Sequence, residues 1–224
     1  MRKKYLVGIL LCGLMMLASC RLTKNVPEGS YLLNRATVKV NGEGVDTETL
    51  KSYIRPRPNF KVFGIWRLQL HLYNMAGTDS TKWINRQLRN VGDAPVLFSE
   101  QEARSVATKM EKALSNKGYI HASVDVKTAF KKKKANVTYQ VSLNNPYRVR
   151  NFSLVCLDDS IQKEIGKDTV VLKINKGMLF DSDAIDQYRE EVASYLRQKG
   201  YYRLTKESLY FIADSAYKTH EVDL

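Results

Sequence analysis

Phe98–Ile120 reads FSEQEARSVATKMEKALSNKGYI, and Phe180–Tyr202 reads FDSDAIDQYREEVASYLRQKGYY. The stretches align without a gap: Phe98 on Phe180, Leu114 on Leu196, and Lys117-Gly118-Tyr119 on Lys199-Gly200-Tyr201. An internal repeat fixes an architecture before any single residue is interpreted. Each copy predicts a helix that turns directly into a strand. In the first, Ser99 and Glu102 predict a capping box, and Ala103, Val106, Ala107, Met110, Ala113 and Leu114 recur on one helical face. In the second, Asp181, Ser182 and Asp183 place a cap and negative charge where the helix dipole favours them, and Ile185, Tyr188, Val192 and Leu196 form the buried stripe. Gly118 and Gly200 stand where a left-handed residue ends each helix. Lys117 and Lys199 read as dipole caps.

Working outward, the same order of elements flanks both copies. Tyr31–Asn41 predicts a strand, most regular at Thr37-Val38-Lys39-Val40. Thr47–Ile54 predicts a short helix, stopped by Arg55-Pro56-Arg57-Pro58. After the first long helix come strands at Tyr119–Phe130 and Asn136–Leu143, joined by Lys131-Lys132-Lys133-Lys134 at a hairpin tip. Such a charge run is ordinarily a solvated turn; the sharper reading is contact with anionic head groups or an acidic partner. Asn144-Asn145-Pro146 marks the boundary. The order then restarts with a strand at Tyr147–Leu157, a short helix capped by Asp158 and Asp159, an apolar run at Val170–Ile174, the second long helix, a strand at Tyr201–Ile212 and a last strand beginning near Glu221. Residues 59–95 interrupt the first unit. A packed loop with an extended segment and a helical turn at Trp83–Val91 is favoured there over a membrane dip, because charge recurs too often for a span.

The chain has 224 residues, a formal charge of +13, 44% hydrophobic and 26% charged residues, which is ordinary globular composition. The positive balance suits nucleic acid, anionic lipid or acidic partners. Met1-Arg2-Lys3-Lys4 followed by the apolar Tyr5–Leu17 predicts a signal peptide. Leu17-Ala18-Ser19-Cys20 resembles the lipobox of bacterial lipoproteins, which implies lipid attachment at Cys20 and loss of residues 1–19. Two or more acyl chains hold a protein stably at a membrane. Arg21 after the cysteine, in place of aspartate, points to the outer membrane. With Cys12 removed and Cys20 lipidated, Cys156 is left without a disulfide partner and reads as a small buried hydrophobe.

The strand, short helix, long helix, strand, strand order resembles the POTRA (polypeptide-transport-associated) domain. The residues that carry the likeness are Lys176-Gly177-Met178-Leu179, Phe180-Asp181, Leu196, Gly200-Tyr201-Tyr202 and Tyr210-Phe211 with Asp214. Together with Cys20 and Val26-Pro27-Glu28-Gly29-Ser30-Tyr31-Leu32-Leu33, the chain is similar to the N-terminal part of lipid-anchored relatives of the BamA/TamA assembly factors of Bacteroidetes-type bacteria. The resemblance implies an α+β fold of tandem β-α-α-β-β units, each a three-stranded sheet with two helices on one face. Residues 20–30 would be a lipidated tether, 31–145 the first unit and 146–224 the second, with its final strand truncated. Family members continue into a membrane barrel, which these residues do not contain.

The implied activity is binding of unfolded outer-membrane protein clients and other envelope assembly components in the periplasm. An extended client would add to a sheet edge, at Ala122, Val124 and Val126 in the first unit and at Leu204, Lys206 and Ser208 in the second. The alternative is a scaffold that docks onto a separate barrel without touching clients. No catalytic grouping, metal-ligand spacing or cofactor motif stands out, and an exported lipoprotein seldom meets nucleic acid. No enzyme activity, metal, cofactor or nucleic-acid partner is expected.

Overall fold

The computed structural model describes residues 22–167, 174–216 and 218–224. The signal segment 1–19, Cys20 and the apolar positions 170–173 lie outside the described residues. Contact density divides the chain into two compact units. The first gathers residues up to Lys39 with Gly44–Ala107 and Asp125–Gln140; the second gathers Val40–Glu43, Thr108–Val124 and Val141–Leu224. The division is drawn differently from the sequence boundary at Asn144–Pro146. Residues 108–124 cluster with the second unit, where the Tyr147 N–H donates to the Gly118 carbonyl at 2.8 Å and Lys117 reaches Asp181.

The elements are β1 (Leu32–Asn41), α1 (Thr47–Ser52), α2 (Leu68–Met75), α3 (Trp83–Val91), α4 (Glu100–Asn116), β2 (Ser123–Lys131), β3 (Lys134–Ser142), β4 (Arg148–Asn151), α5 (Asp159–Lys167), α6 (Ser182–Gln198), β5 (Asp214–Ala216) and β6 (Glu221–Asp223). They form two three-stranded sheets, ordered β1-β3-β2 and β4-β6-β5. In the second, β4 runs parallel and β5 antiparallel to β6. The architecture is therefore α+β with one strand order used twice.

The repeat extends to individual hydrogen bonds. The Tyr119 N–H donates to the Leu114 carbonyl at 3.0 Å, and the Tyr201 N–H to that of Leu196 at 3.1 Å. Each bond closes its helix end through a left-handed glycine, Gly118 at φ 90° and Gly200 at φ 102°. The α6 stripe is buried as the periodicity predicts: Ile185, Tyr188, Val192 and Leu196 pack with Tyr147, Val149, Ile165 and Val222. Asp181 caps α6, its Oδ1 accepting from the N–H groups of Asp183 and Ala184.

Four readings need correction. Tyr201–Ile212 is not a strand: Leu204, Lys206 and Ser208 lie in a loop with a single 3₁₀ turn at Lys206–Ser208. Arg189 on α6 holds this loop, donating to the carbonyls of Leu209 (2.6 Å) and Lys206 (2.8 Å), while the Lys206 ammonium reaches Asp186 at 3.0 Å. Those carbonyls are therefore bound to a helix rather than to a neighbouring strand. The β4 strand ends at Asn151 instead of Leu157, although the Ser153 N–H still donates to the Leu224 carbonyl at 2.8 Å. Within residues 59–95, read as a packed loop with an extended segment, Leu68–Met75 is helical, with Leu70 and Asn74 one turn apart on the buried side. Cys156 is half-buried rather than buried, and its thiol approaches the Asp158 carbonyl at 3.3 Å.

The two cap glycines differ in their surroundings. A β-carbon on Gly118 would stand 2.9 Å from the Phe180 carbonyl oxygen and 3.3 Å from that of Tyr147, whereas one on Gly200 meets nothing within 4 Å. Backbone strain alone costs roughly 1–2 kcal/mol at either site. Gly118→Ala should therefore lower the urea midpoint at least about twice as far as Gly200→Ala. Equal shifts would contradict the close approach at Gly118.

Candidate functional site

A three-stranded sheet has two outer edges, and the first sheet treats them differently. Along β1 the edge is covered at its start by residues 96–98: the Leu33 N–H donates to the Val96 carbonyl at 2.8 Å, and the Phe98 N–H to that of Tyr31 at 2.8 Å. The other edge is β2, the outermost strand of the order β1-β3-β2.

The turn sets which backbone groups of β2 face outward. Lys132 and Lys133 both adopt positive φ, 48° and 58°, as a two-residue type I′ hairpin requires. Lys131 and Lys134 then form a hydrogen-bonded pair, and alternate residues point their N–H and C=O groups toward β3. Residues 124, 126, 128 and 130 consequently turn theirs away from the sheet. The phase is visible at Val124, whose N–H donates to the Glu111 carboxylate of α4 at 2.9 Å. Beyond it, the outward groups of Val126, Thr128 and Phe130 form a row suited to an added strand.

Side chains grade along this strand. Val124 is buried, Val126 and Thr128 are half-buried, and Asp125, Lys127 and Ala129 are exposed. At the far end the Phe130 ring lies 4.4 Å from that of Tyr31 and 5.6 Å from that of Phe98. Charged residues on an edge, here Lys127 and Lys131, discourage indiscriminate strand pairing.

Of the sequence-predicted site residues, Val124 and Val126 lie on this edge. Ala122 precedes the strand, its N–H closing a turn onto the Tyr119 carbonyl. Leu204, Lys206 and Ser208 are held against α6 as described; the short β5 at Asp214–Ala216 is the outer strand of that sheet. Lys131–Lys134 stand at the hairpin tip as expected, with Lys131, Lys132 and Lys133 exposed and Lys134 half-buried. None of the ion pairs found among the described residues includes them.

Sequence reasoning missed the ion pair that braces the turn before β2. The Lys117 ammonium lies 2.8 Å from Asp181 Oδ2 and 3.5 Å from Asp183 Oδ2, and Asn116 Nδ2 donates to Asp183 Oδ1 at 3.1 Å. Burial alone would raise the Asp181 carboxyl, but the Lys117 ammonium and the N–H groups of Ala184 and Asp183 hold it below the ordinary carboxylate value. The hydrogen bond to Asp181 raises the Lys117 ammonium above its own ordinary value. No local motif signals this contact, because the partners stand 64 positions apart. Among the described residues no group of three or more His, Cys, Asp or Glu side chains converges as a metal site would.

Residues 36–142 match the family model described as "POTRA: Surface antigen variable number repeat". The matched stretch runs from β1 to β3. Solved structures give a looser likeness. BamA from Haemophilus ducreyi lacking POTRA domains 1–3 is 16% identical, with a TM-score of 0.40 over 86% of this chain and 28% of that one. POTRA1–2 of the periplasmic domain of Omp85 from Anabaena is 10% identical, with a TM-score of 0.34 over 88% and 94%. Haemophilus influenzae BamA POTRA3–5 is 16% identical, with a TM-score of 0.30 over 89% and 97%. The chain thus spans about a quarter of the Haemophilus ducreyi chain. No curated protein matches it by sequence.

The Lys117–Asp181 pair predicts a pH dependence. A depressed Asp181 pKa stabilises the fold above the unfolded value, near 4, and that contribution is lost as pH falls through the folded value. A raised Lys117 pKa stabilises it below the unfolded value, near 10.4, and that contribution is lost as pH rises through the folded value. Asp181→Asn keeps a capping side chain but removes the charge, so it should cost about 0.5–1 kcal/mol at pH 7, the half-exposed lysine limiting the effect. The difference from the parent at pH 7 should shrink at an acid pH below the folded carboxyl's value. Urea titrations at both pH values measure this; a penalty that persists in acid would contradict the ion-pair account.

Proposed function

We propose that this chain is the periplasmic, client- or partner-binding part of an outer-membrane protein assembly factor, held at the outer membrane by lipid on Cys20. The reading rests most directly on one observation: β2 is an outer strand with the outward groups of Val126, Thr128 and Phe130 in a row, while the start of β1 is covered. The family match over residues 36–142 supports it. The lipobox-like Leu17-Ala18-Ser19-Cys20 supports the anchor. Among the described residues no helix is long and apolar enough to cross a membrane.

The mechanism is strand addition. An unfolded client segment aligns along β2 and exchanges backbone hydrogen bonds with Val126, Thr128 and Phe130. Because backbone groups carry the recognition, many client sequences are accepted. The half-buried Val126 and Thr128 and the partly exposed Phe130 offer apolar contact to alternate client residues, and Lys127 favours a client with an acidic residue opposite. The activity is reversible binding with no covalent step. In the second unit Leu204, Lys206 and Ser208 lie in a loop held on α6, so capture is assigned to the first sheet. Other envelope assembly components are the remaining partners.

Proline at position 128 tests the mechanism. Thr128 turns its N–H away from β3, so the substitution removes an edge donor without removing a ladder bond, and proline is tolerated on edges for that reason. Thr128→Pro should weaken binding of an unfolded barrel-strand peptide by about ten-fold or more with little change in unfolding midpoint. Unchanged affinity in a folded Thr128→Pro protein would refute client addition at β2.

A further inference from the structure

The segment between β1 and α4 carries an apolar turn that the edge-binding mechanism does not use. Val62 and Trp66 form an antiparallel bridge, closed by the Val62 N–H to the Trp66 carbonyl at 2.7 Å and the Trp66 N–H to the Val62 carbonyl at 3.1 Å. The residues on and beside this turn are apolar and open to solvent: Phe60 is 67% exposed, Phe63 91%, Ile65 77% and Trp66 56%. Phe63 has a φ of 50°, a conformation costly for a bulky residue and kept only where the surroundings impose it.

The surroundings here are a buried arginine. Arg67, 3% exposed, donates to the Asn34 carbonyl (2.5 Å), to Asn34 Oδ1 (2.9 Å) and to the Asn59 carbonyl (3.4 Å). Asn59 in turn binds the Ala94 carbonyl and the Val96 N–H. The base of the turn is thus fixed to β1 and to the segment that covers β1, and its tip projects from that base.

From these observations we propose that the Phe63–Trp66 turn inserts into the interfacial layer of an anionic phospholipid bilayer. Three features favour a bilayer over a protein partner. First, a stable protein interface draws on some 20–30 residues from each side, whereas lipid needs no shape complementarity and takes a small aromatic tip readily. Second, the electrostatics fit: from Thr49 to Thr78 the sequence contains no Asp or Glu, and Arg55, Arg57 and Lys61 flank the turn, with the buried Arg67 beneath it. Burial, together with the fields of Arg67, Arg35 and Lys134, lowers the Lys61 pKa, so cations crowd at the base of the turn where an anionic surface would relieve them. Third, the route of the chain fits. Leu22 and Val26 pack with Leu32 and Leu70, Lys24 Nζ donates to the Asn74 carbonyl, and Asn74 Nδ2 donates to the Leu22 carbonyl. Leu70 and Asn74 belong to α2, which starts two residues after Trp66. Leu22, two positions after Cys20 in the sequence, is therefore held against the helix that follows the turn.

This inference is independent of client binding at β2. Its test uses the full chain with Trp83→Phe, which leaves Trp66 as the only indole. The chain is placed in phosphatidylethanolamine–phosphatidylglycerol vesicles with or without brominated acyl chains. Brominated lipid should quench Trp66 emission by about two-fold or more, whatever holds the rest of the chain to the vesicle. Adding Phe63→Asp and Ile65→Asp should abolish the quenching while leaving the circular dichroism unchanged. Equal quenching with and without those substitutions would overturn the proposal. So would an unquenched Trp66 that becomes shielded from iodide only when a soluble envelope protein is added, a result that assigns the tip to a protein partner.

Discussion

Every backbone N–H and C=O removed from water needs a partner, and a three-stranded sheet leaves two rows of them open. The chain resolves this in the same way twice. The segment just before each long helix folds back on the outer edge of the first strand. In the first unit the bonds are Leu33 to Val96 and Phe98 to Tyr31; in the second they are Val149 to Met178 and Phe180 to Tyr147. The phenylalanine that opens each repeated stretch is thus a fixed point, where edge covering ends and the helix begins. With that edge occupied, the remaining one belongs to the strand after the long helix.

What the two sheets do with the remaining edge separates them. In the first, α4 ends at Gly118 and β2 starts within a few residues, long enough to present a row of outward groups, with Glu111 meeting the first donor. In the second, the helix ends by the same bonds at Gly200, but the chain then packs onto α6 under Arg189 before β5 begins. Identical helix ends therefore lead directly to a strand in one case and to a braced loop in the other.

Much of this was legible in the sequence, for physical reasons. The long helices were readable because Ala103, Val106, Met110 and Leu114, and Ile185, Tyr188, Val192 and Leu196, repeat at helical spacing. Their ends were readable because only glycine takes φ near 90–100° without penalty. The lysine tip was readable from its place between two alternating strands. The rest depended on distant partners. Leu204–Leu209 follows the second long helix where a strand follows the first, yet a single arginine on α6 claims two of its carbonyls. Leu68–Leu72 alternates like a strand, but Leu70 and Asn74 pack one helical turn apart. Cys156 was misjudged because composition does not reveal that β4 ends at Asn151. On the candidate edge itself the sequence pointed to Val124 and Val126 but not to Thr128 and Phe130, since hairpin phase rather than hydrophobicity decides which groups face outward.

Amide hydrogen exchange along β2 tests the central claim most directly. The account predicts alternation in the free protein, with the amides of Asp125, Lys127 and Ala129 protected by β3 and those of Val126, Thr128 and Phe130 exchanging freely. Addition of an unfolded barrel-strand peptide should then slow the second set and leave the first unchanged. Uniform protection of all six amides in the free chain, or no slowing with peptide, would contradict it.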